Sequence, residues 1–437
     1  METKVLKFGG SSLADANQFK RVAQIVKSEM SRRYVVASAP GKRFSDDTKV
    51  TDMLYECFQL ASEKKSIDEA FERIENRYNE IIRDLGLNIS LDEEFEKIKM
   101  SIVHHAGRDY IASRGEYLNA IILAAYLGYD FVDAENIIFF FENGVFDSEK
   151  TNKVMAQTLS KHERAVVPGF YGVMPNGTIK TFSRGGSDIT GSIVARAVKA
   201  VIYENWTDVS GMLMADPRLV DNPKTIDVIT YKELRELAYM GATVLHEDAI
   251  FPVREANIPI NIRNTNEPDA NGTMIVPSIE NDVNETVITG IAGKKGFTAV
   301  TIEKDQMNKV SFIDGILSCL RHRDIKVEHI PTGIDSITVI VPSATFKDKA
   351  EDTVSSFIRH VDPDNITINE DIALIAVVGR GMVRSKGTAG RIFKSIGEAN
   401  VNIKMIDQGS SELNIIVAVD EKDYVTALNA IYSAFVK

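Results

Sequence analysis

Residues 5–12 read Val-Leu-Lys-Phe-Gly-Gly-Ser-Ser, and the fold follows from this run. Val5 to Phe8 is short and apolar and is stopped by two glycines, the signature of a strand entering a tight turn. Phe19, Val22, Ala23, Ile25 and Val26 then recur at helical spacing, with Ser11, Ser12 and Asp15 ahead of them as caps. Tyr34 to Ala37 is a second strand, closed by Ser38-Ala39-Pro40-Gly41. Strand, glycine turn, helix, strand is the opening of a parallel α/β sheet. The alternation continues with a long charged helical region over about 50–105, a helix at 114–127 and an apolar strand from Ile137 to Phe141. A strand from Ala165 to Val167, a helix over 188–200 and a strand from Ala200 to Tyr203 follow. The expected class is α/β: an open, mostly parallel sheet covered by helices on both faces, with ligands at the carboxyl ends of its strands. The turn-rich stretch Asn264 to Asn284 is expected to close this domain, residues 1–285.

Beyond it the sequence repeats. Thr298–Ile302 corresponds to Leu374–Val378, Ile316 and Leu320 to Ile392 and Ile396, Ile325–Val327 to Val401–Ile403, and Ile337–Val341 to Leu413–Val417, always 76 residues apart. Each copy reads strand, helix, strand, strand, helix, the order of a ferredoxin-like α+β unit. The first is expected over 297–367 and the second over 371–437, with a strand at 286–293 available to complete it.

Composition narrows the function. A net charge of −11 gives no basic surface for nucleic acid or anionic lipid. Cys57 and Cys319 lack metal-ligand spacing, so no resident metal is expected and a reducing cytoplasm fits. No apolar run approaches the ~18 residues of a membrane span. Walker, GxGxxG, HExxH and GxSxG motifs are absent.

What remains is a set of polar clusters at strand ends. Lys7 with Gly9, Gly10 and Ser11 suits a phosphate, as backbone amides beside a point charge, or is a plain strand-to-helix turn. Ser183-Arg184-Gly185-Gly186-Ser187-Asp188 offers a guanidinium fork for a carboxylate at a helix start, or an ordinary N-cap with a solvated arginine. Thr207 and Asp208 end a strand, ahead of Asp216 and Arg218, and also suit an ordinary Asx turn. Ser113-Arg114-Gly115-Glu116 places a carboxylate before an apolar helix, or is a capping box.

In this order and spacing, KFGGSS, VVASAPG with TKVTDML, SRGE, FSRGGSD, NWTDVSGMLMADPR and GATVLHEDA resemble the aspartate kinases of the amino-acid kinase superfamily, and the two repeats look like their tandem ACT domains. The resemblance covers essentially the whole chain and implies transfer of the ATP γ-phosphoryl group to the side-chain carboxylate of L-aspartate, with Mg²⁺ accompanying the nucleotide. It puts Lys7 on the nucleotide phosphates and Asp188 on Lys7. Thr51, Glu116 and Arg184 would hold aspartate, with Ser38 and Ser187 beside them. Gly9, Gly10, Ser11, Thr207, Asp208, Leu213, Asp216, Arg218, Thr243 and Val244 would line the ATP site. The chain departs from the family pattern at Leu213, often tyrosine, and at Thr243 and Glu247, usually the lysine and proline of GAKVLHP; the loop from Ser38 to Thr51 is also longer than in the shortest members. The effector would sit at the first repeat, against Met307, Phe312, Ile313, Lys326, Val327, Glu328 and Asp335, whose acids favour L-lysine over threonine. The resemblance further implies a homodimer joined through the ACT domains, or a tetramer, and the end at Lys437 leaves a single activity as the expectation. A catalytically weak amino-acid sensor and a sister kinase for glutamate are the other readings.

Overall fold

The computed structural model describes residues 2–183, 185–242, 245, 247–279, 286–305 and 308–436. They form two compact units, Met1–Met212 with Thr225–Lys232 and Thr243–Glu280, and Leu213–Lys224 with Glu233–Ala242 and Asn281–Lys437. Among the described residues no helix is long and apolar enough to cross a membrane.

The first unit is built on β1 (Lys4–Phe8), β2 (Arg32–Ala37), β3 (Asp130–Phe131), β4 (Ala165–Pro168), β7 (Ile202–Thr207), β8 (Val228–Thr230), β9 (Ile260–Asn264) and β10 (Thr273–Val276), with a small hairpin β5 (Tyr171–Val173) and β6 (Ile179–Thr181) beside them. The strand order is β3-β4-β2-β1-β7-β9-β10-β8, and only the β9–β10 pairing is antiparallel. Val5, Leu6 and Phe8 are fully buried, as a central parallel strand covered on both faces requires. Because β1, β2, β4 and β7 run parallel, the turns that follow them share one edge of the sheet.

Seven helices matter to the site: α1 (Ala16–Lys27), α2 (Val50–Ser62), α3 (Asp68–Leu85), α4 (Asp92–Val103), α5 (Arg108–Leu127), α6 (Ser148–Leu159) and α7 (Gly186–Ala197). Asp15 caps α1 by accepting the Gln18 amide at 2.9 Å. The charged region at 50–105 is thus three helices, and the helix expected from 114 starts six residues earlier. The expected strand Ile137–Phe141 makes only isolated bridges, Phe139 to Val173 and Phe140 to Phe146. A side chain takes its place in the ladder there, since the Phe139 amide donates to Thr151 Oγ1 at 2.9 Å. After α7 the left-handed Lys199 (φ 50°) turns the chain, so the next strand begins at Ile202 rather than Ala200. Part of the expected boundary stretch is β10, inside the sheet.

The second unit carries an antiparallel sheet ordered β12-β11-β13-β15-β14, made of β11 (Gly290–Glu303), β12 (Ser336–Pro342), β13 (Asn365–Val378), β14 (Met405–Asp407) and β15 (Asn414–Asp420). The long strands β11 and β13 serve both repeats. Gly290–Lys294 lies along Leu374–Val378, while Phe297–Glu303 lies along Asn365–Ile372, with an irregularity between Lys294 and Phe297. The helices Lys309–Arg321 and Ala350–Val361 cover one core, around Val300, Ile316, Ile337 and Phe357. The helices Thr388–Glu398 and Tyr424–Phe435 cover the other, around Ile375, Ile392, Val417 and Ile431. Ile325–Val327 and Val401–Ile403, expected as strands, are not paired. In both copies a left-handed residue, Asp324 or Asn400, ends the helix, and the next side chain, Ile325 or Val401, is buried first. Pairing starts only at the His329–Ile340 bridge and at Met405.

The packing of α7 on β7 makes a signed prediction. A Cβ on Gly191 would lie 2.4 Å from the hydroxyl oxygen of Tyr203 and 2.6 Å from its ring, and Tyr203 is fully buried and cannot swing aside. Gly191→Ala should therefore lower stability by about 1–3 kcal/mol, against the gain of ~1 kcal/mol that an exposed helix would show. Urea unfolding of the two proteins measures it, and a stabilised variant would contradict this packing.

Candidate active site

The turn after β1 presses against the turn after β2. The Gly41 amide donates to the Gly10 carbonyl at 2.8 Å, and the Gly9 amide to the Trp206 carbonyl at 3.0 Å. A Cβ on Gly41 would lie 2.6 Å from the Gly10 carbonyl carbon, and one on Gly10 2.9 Å from the Ala39 oxygen, so neither position accepts a side chain. Ser12 and Leu13 fold back onto Gly9 and Gly10 as a short 3₁₀ turn, and the Gly10 and Ser11 amides donate to no group among the described residues. Two adjacent free amides in a compact turn form an anion cradle.

Lys7 reaches the same edge from within β1. It is 7% exposed, and its Nζ lies 2.7 Å from Asp188 Oδ1 in the first turn of α7. Asn205 Nδ2 donates to the same oxygen at 2.8 Å, and the Tyr203 hydroxyl donates to the Asp188 carbonyl at 3.2 Å. Sequence reasoning missed Asn205 and Tyr203. The available signal was a pair of polar residues, Glu204 and Asn205, between the aromatic residues just before Thr207 and Asp208.

Glu116 approaches from α5. That helix begins at Arg108, so Ser113 and Glu116 lie in its interior and the capping-box reading fails. Ser113 Oγ instead donates to the Tyr110 carbonyl at 2.6 Å. Gly115 lets the loop after β2 rest on the helix, since a Cβ there would meet the Ala39 Cβ at 2.8 Å. Asn119 Nδ2, also missed from the sequence, donates to the Ser38 carbonyl at 2.7 Å. Burial pushes the Glu116 carboxyl up to about 8, opposed by hydrogen bonds from the Ala39 amide and its own amide and by the charges of Arg114 and Lys7. Its Oε2 is buried without a partner, which leaves the group open to a cationic ligand. The Arg114 guanidinium lies over the rings of Tyr110, Tyr117 and Tyr171 at 4.6, 4.5 and 5.1 Å.

The loop that carries Ser38 is pinned from α3. Arg77 donates to the Gly41 carbonyl at 2.7 Å and to Asp47 Oδ2 at 2.8 Å. Arg43 and Arg77 hold the Asp47 carboxyl well below the usual carboxylate range. The loop delivers Thr51 to the first turn of α2.

The other expected residues divide. Ser187 stands beside Asp188 in the first turn of α7, and Thr207 Oγ1 donates to Asp208 Oδ1 at 3.2 Å where β7 ends. Arg184, Thr243, Val244 and Met307 lie outside the described residues. Leu213, Asp216 and Arg218 belong to the second unit, where Arg218 folds onto Asp216 at 2.6 Å. Also in that unit, Phe312 is a core residue at 5% exposure rather than an open wall, with Ile313 and Val327 at the core's margin. Lys326 and Asp335 are exposed, and Glu328 accepts a hydrogen bond from the Tyr239 hydroxyl.

Residues 2–264 match the amino acid kinase family and residues 375–435 match an ACT domain. The chain is 38% identical to aspartokinase 3 of Bacillus subtilis across 99% of its own length and 98% of the relative's. It is similar in structure to Clostridium acetobutylicum aspartate kinase, with a TM-score of 0.92, 49% identity and coverage of 99% and 100% of the two chains. E. coli aspartokinase III, solved with lysine and aspartate in a T-state, has a TM-score of 0.72 at 25% identity over the full length of both chains.

The raised Glu116 carboxyl sets a pH signature. Its ordinary value of 4.5 applies to the unfolded chain and about 8 to the folded one. Between these limits the folded state binds more protons, so stability falls as pH rises through the window. Glu116→Gln removes that slope. Its melting temperature relative to the parent should climb steadily from about pH 5 to about pH 8.5, and parallel melting curves across this range would refute the shift.

Proposed function

The chain belongs to the amino acid kinase family as an ACT-bearing aspartokinase, and from that premise we propose how its residues carry the γ-phosphoryl group of ATP to the side-chain carboxylate of L-aspartate. One observation supports the assignment most: the Lys7–Asp188 pair stands at the strand edge that holds the free Gly10 and Ser11 amides. The substrate's own carboxylate is the nucleophile and is ionised at neutral pH, so no general base is required. What the protein supplies is alignment and positive charge on the phosphoryl oxygens. Lys7 and the Gly9–Ser11 turn provide that charge, and Asp188 keeps the ammonium in place.

Glu116 receives the α-ammonium of aspartate and ionises as it docks, while Arg184 forks the α-carboxylate. The hydroxyls of Ser38, Thr51 and Ser187 flank the substrate. Thr207 and Asp208 bind the nucleotide, with Thr243 and Val244 completing its site. The transfer uses a divalent cation, which we take to be Mg²⁺ carried by ATP; when bound it shields the phosphate oxygens. Asp188 stays engaged by Lys7 and Asn205, which leaves the ion to the nucleotide that carries it. We place the enzyme in the cytoplasm.

The decisive measurement traps the acyl phosphate with hydroxylamine. ATP, Mg²⁺ and L-aspartate should give hydroxamate, and L-glutamate far less. Lys7→Ala should lower kcat by on the order of 10²-fold or more while the aspartate KM changes little. A Lys7→Ala enzyme with near-normal turnover would remove Lys7 from the chemistry.

For the regulatory unit we propose L-lysine as effector, at a site formed with a second copy of the chain, which makes the enzyme a homodimer. Glu328 and Asp335 meet the effector's ammonium groups, and Val327, with Ile313 beneath it, meets its methylenes. Tyr239 already donates to Glu328, so lysine has to displace that phenol. Glu328→Ala should raise the half-inhibiting lysine concentration about tenfold, each enzyme scaled to its own uninhibited rate. Unchanged lysine sensitivity would rule out this site, and inhibition by threonine alone would rule out the effector.

A further inference from the structure

Across the sheet at the level of Lys7, the aligned residues are Val36 on β2, Lys7 on β1, Asn205 on β7 and Ile262 on β9. Side chains level with one another on parallel strands point to the same face, here the face covered by α7. Val36 and Ile262 are apolar, as this position demands. Asn205 is 3% exposed at the centre of a sheet that favours aliphatic residues, and a polar group there is tolerated only when hydrogen-bonded. Its bond goes to the one carboxylate that also holds Lys7: Asp188 Oδ1 takes Asn205 Nδ2 at 2.8 Å and Lys7 Nζ at 2.7 Å.

We propose that Asn205 is a positioning residue for phosphoryl transfer, locking the Asp188 carboxylate so that it holds the Lys7 ammonium at the anion cradle. The Asp188 side chain is partly open, at 21% exposure. A carboxylate at a cation-binding edge can rotate toward solvent or toward an incoming metal, and either motion releases Lys7. The Asn205 amide closes that route from the buried side, and the Tyr203 hydroxyl holds the Asp188 backbone in the same turn. Asn205 is too deep to touch substrate and acts through Asp188. The inference rests on the reading of Lys7 and Asp188 given above.

The test is Asn205→Leu, which keeps the volume and removes the donor, with Asn205→Ser as the alternative if the leucine variant does not fold. The expected result is a fall in kcat of roughly tenfold, about 1.4 kcal/mol of transition-state stabilisation, with KM for aspartate and ATP within about twofold. In an Asp188→Asn background the same substitution should cost less than about twofold, because residues acting through one group are not additive. Unchanged kcat would overturn the proposal, and so would a tenfold loss that persists in the Asp188→Asn background. If Lys7→Ala itself left turnover intact, the reading of the site would fail instead, so the two failures are distinguishable.

Discussion

An ammonium group inside a central parallel strand is the constraint on which the first unit depends. Lys7 is flanked by fully buried neighbours, and a cation there is sustainable only with a carboxylate in contact and further polar support. Asp188 is that carboxylate. This fixes the approach of α7 and the side-by-side placement of β1 and β7. A second ion pair crosses the sheet on its opposite face, Arg32 to Glu204 at 3.0 Å with side chains 7% and 2% exposed. Trp206 Nε1 donates to the same Glu204 at 2.9 Å. The two pairs differ in access. One is sealed on both sides and can only organise structure, whereas the other keeps its acid partly open to the strand edge.

Glu116 illustrates a different balance. Burial outweighs the Ala39 amide and the charges of Arg114 and Lys7 and raises its carboxyl well above the ordinary value. The same burial would strengthen an ion pair once a cation arrives. Arg114, packed among three tyrosine rings, supplies positive potential to Glu116.

The strand-end residues were legible because glycines and polar side chains interrupt apolar runs at Gly9, Ser38, Gly185 and Thr207. The repeat was legible because its offset is constant. What escaped the sequence depends on pairings between distant segments. Asn205 gains meaning only when β1 is known to lie beside β7, and Arg77 only when α3 is known to reach the Gly41 carbonyl. The capping-box alternative for Ser113 and Glu116 failed because helix α5 extends back through a stretch that lacks strong periodicity, from Arg108. The strand expected at 137–141 failed because hydrophobicity does not distinguish a ladder from an apolar loop closed by the Thr151 hydroxyl.

The fourteen-residue strands β11 and β13 have a consequence for how the second unit can be taken apart. Each contributes one half to either repeat, so no single cut separates two complete modules. Severing the chain near residue 370 leaves most of the Asn365–Ile372 strand with the first repeat but strips the second of the Gly290–Lys294 strand. The duplication visible in the sequence is therefore not modularity in the folded chain, because the two copies are threaded on the same two strands.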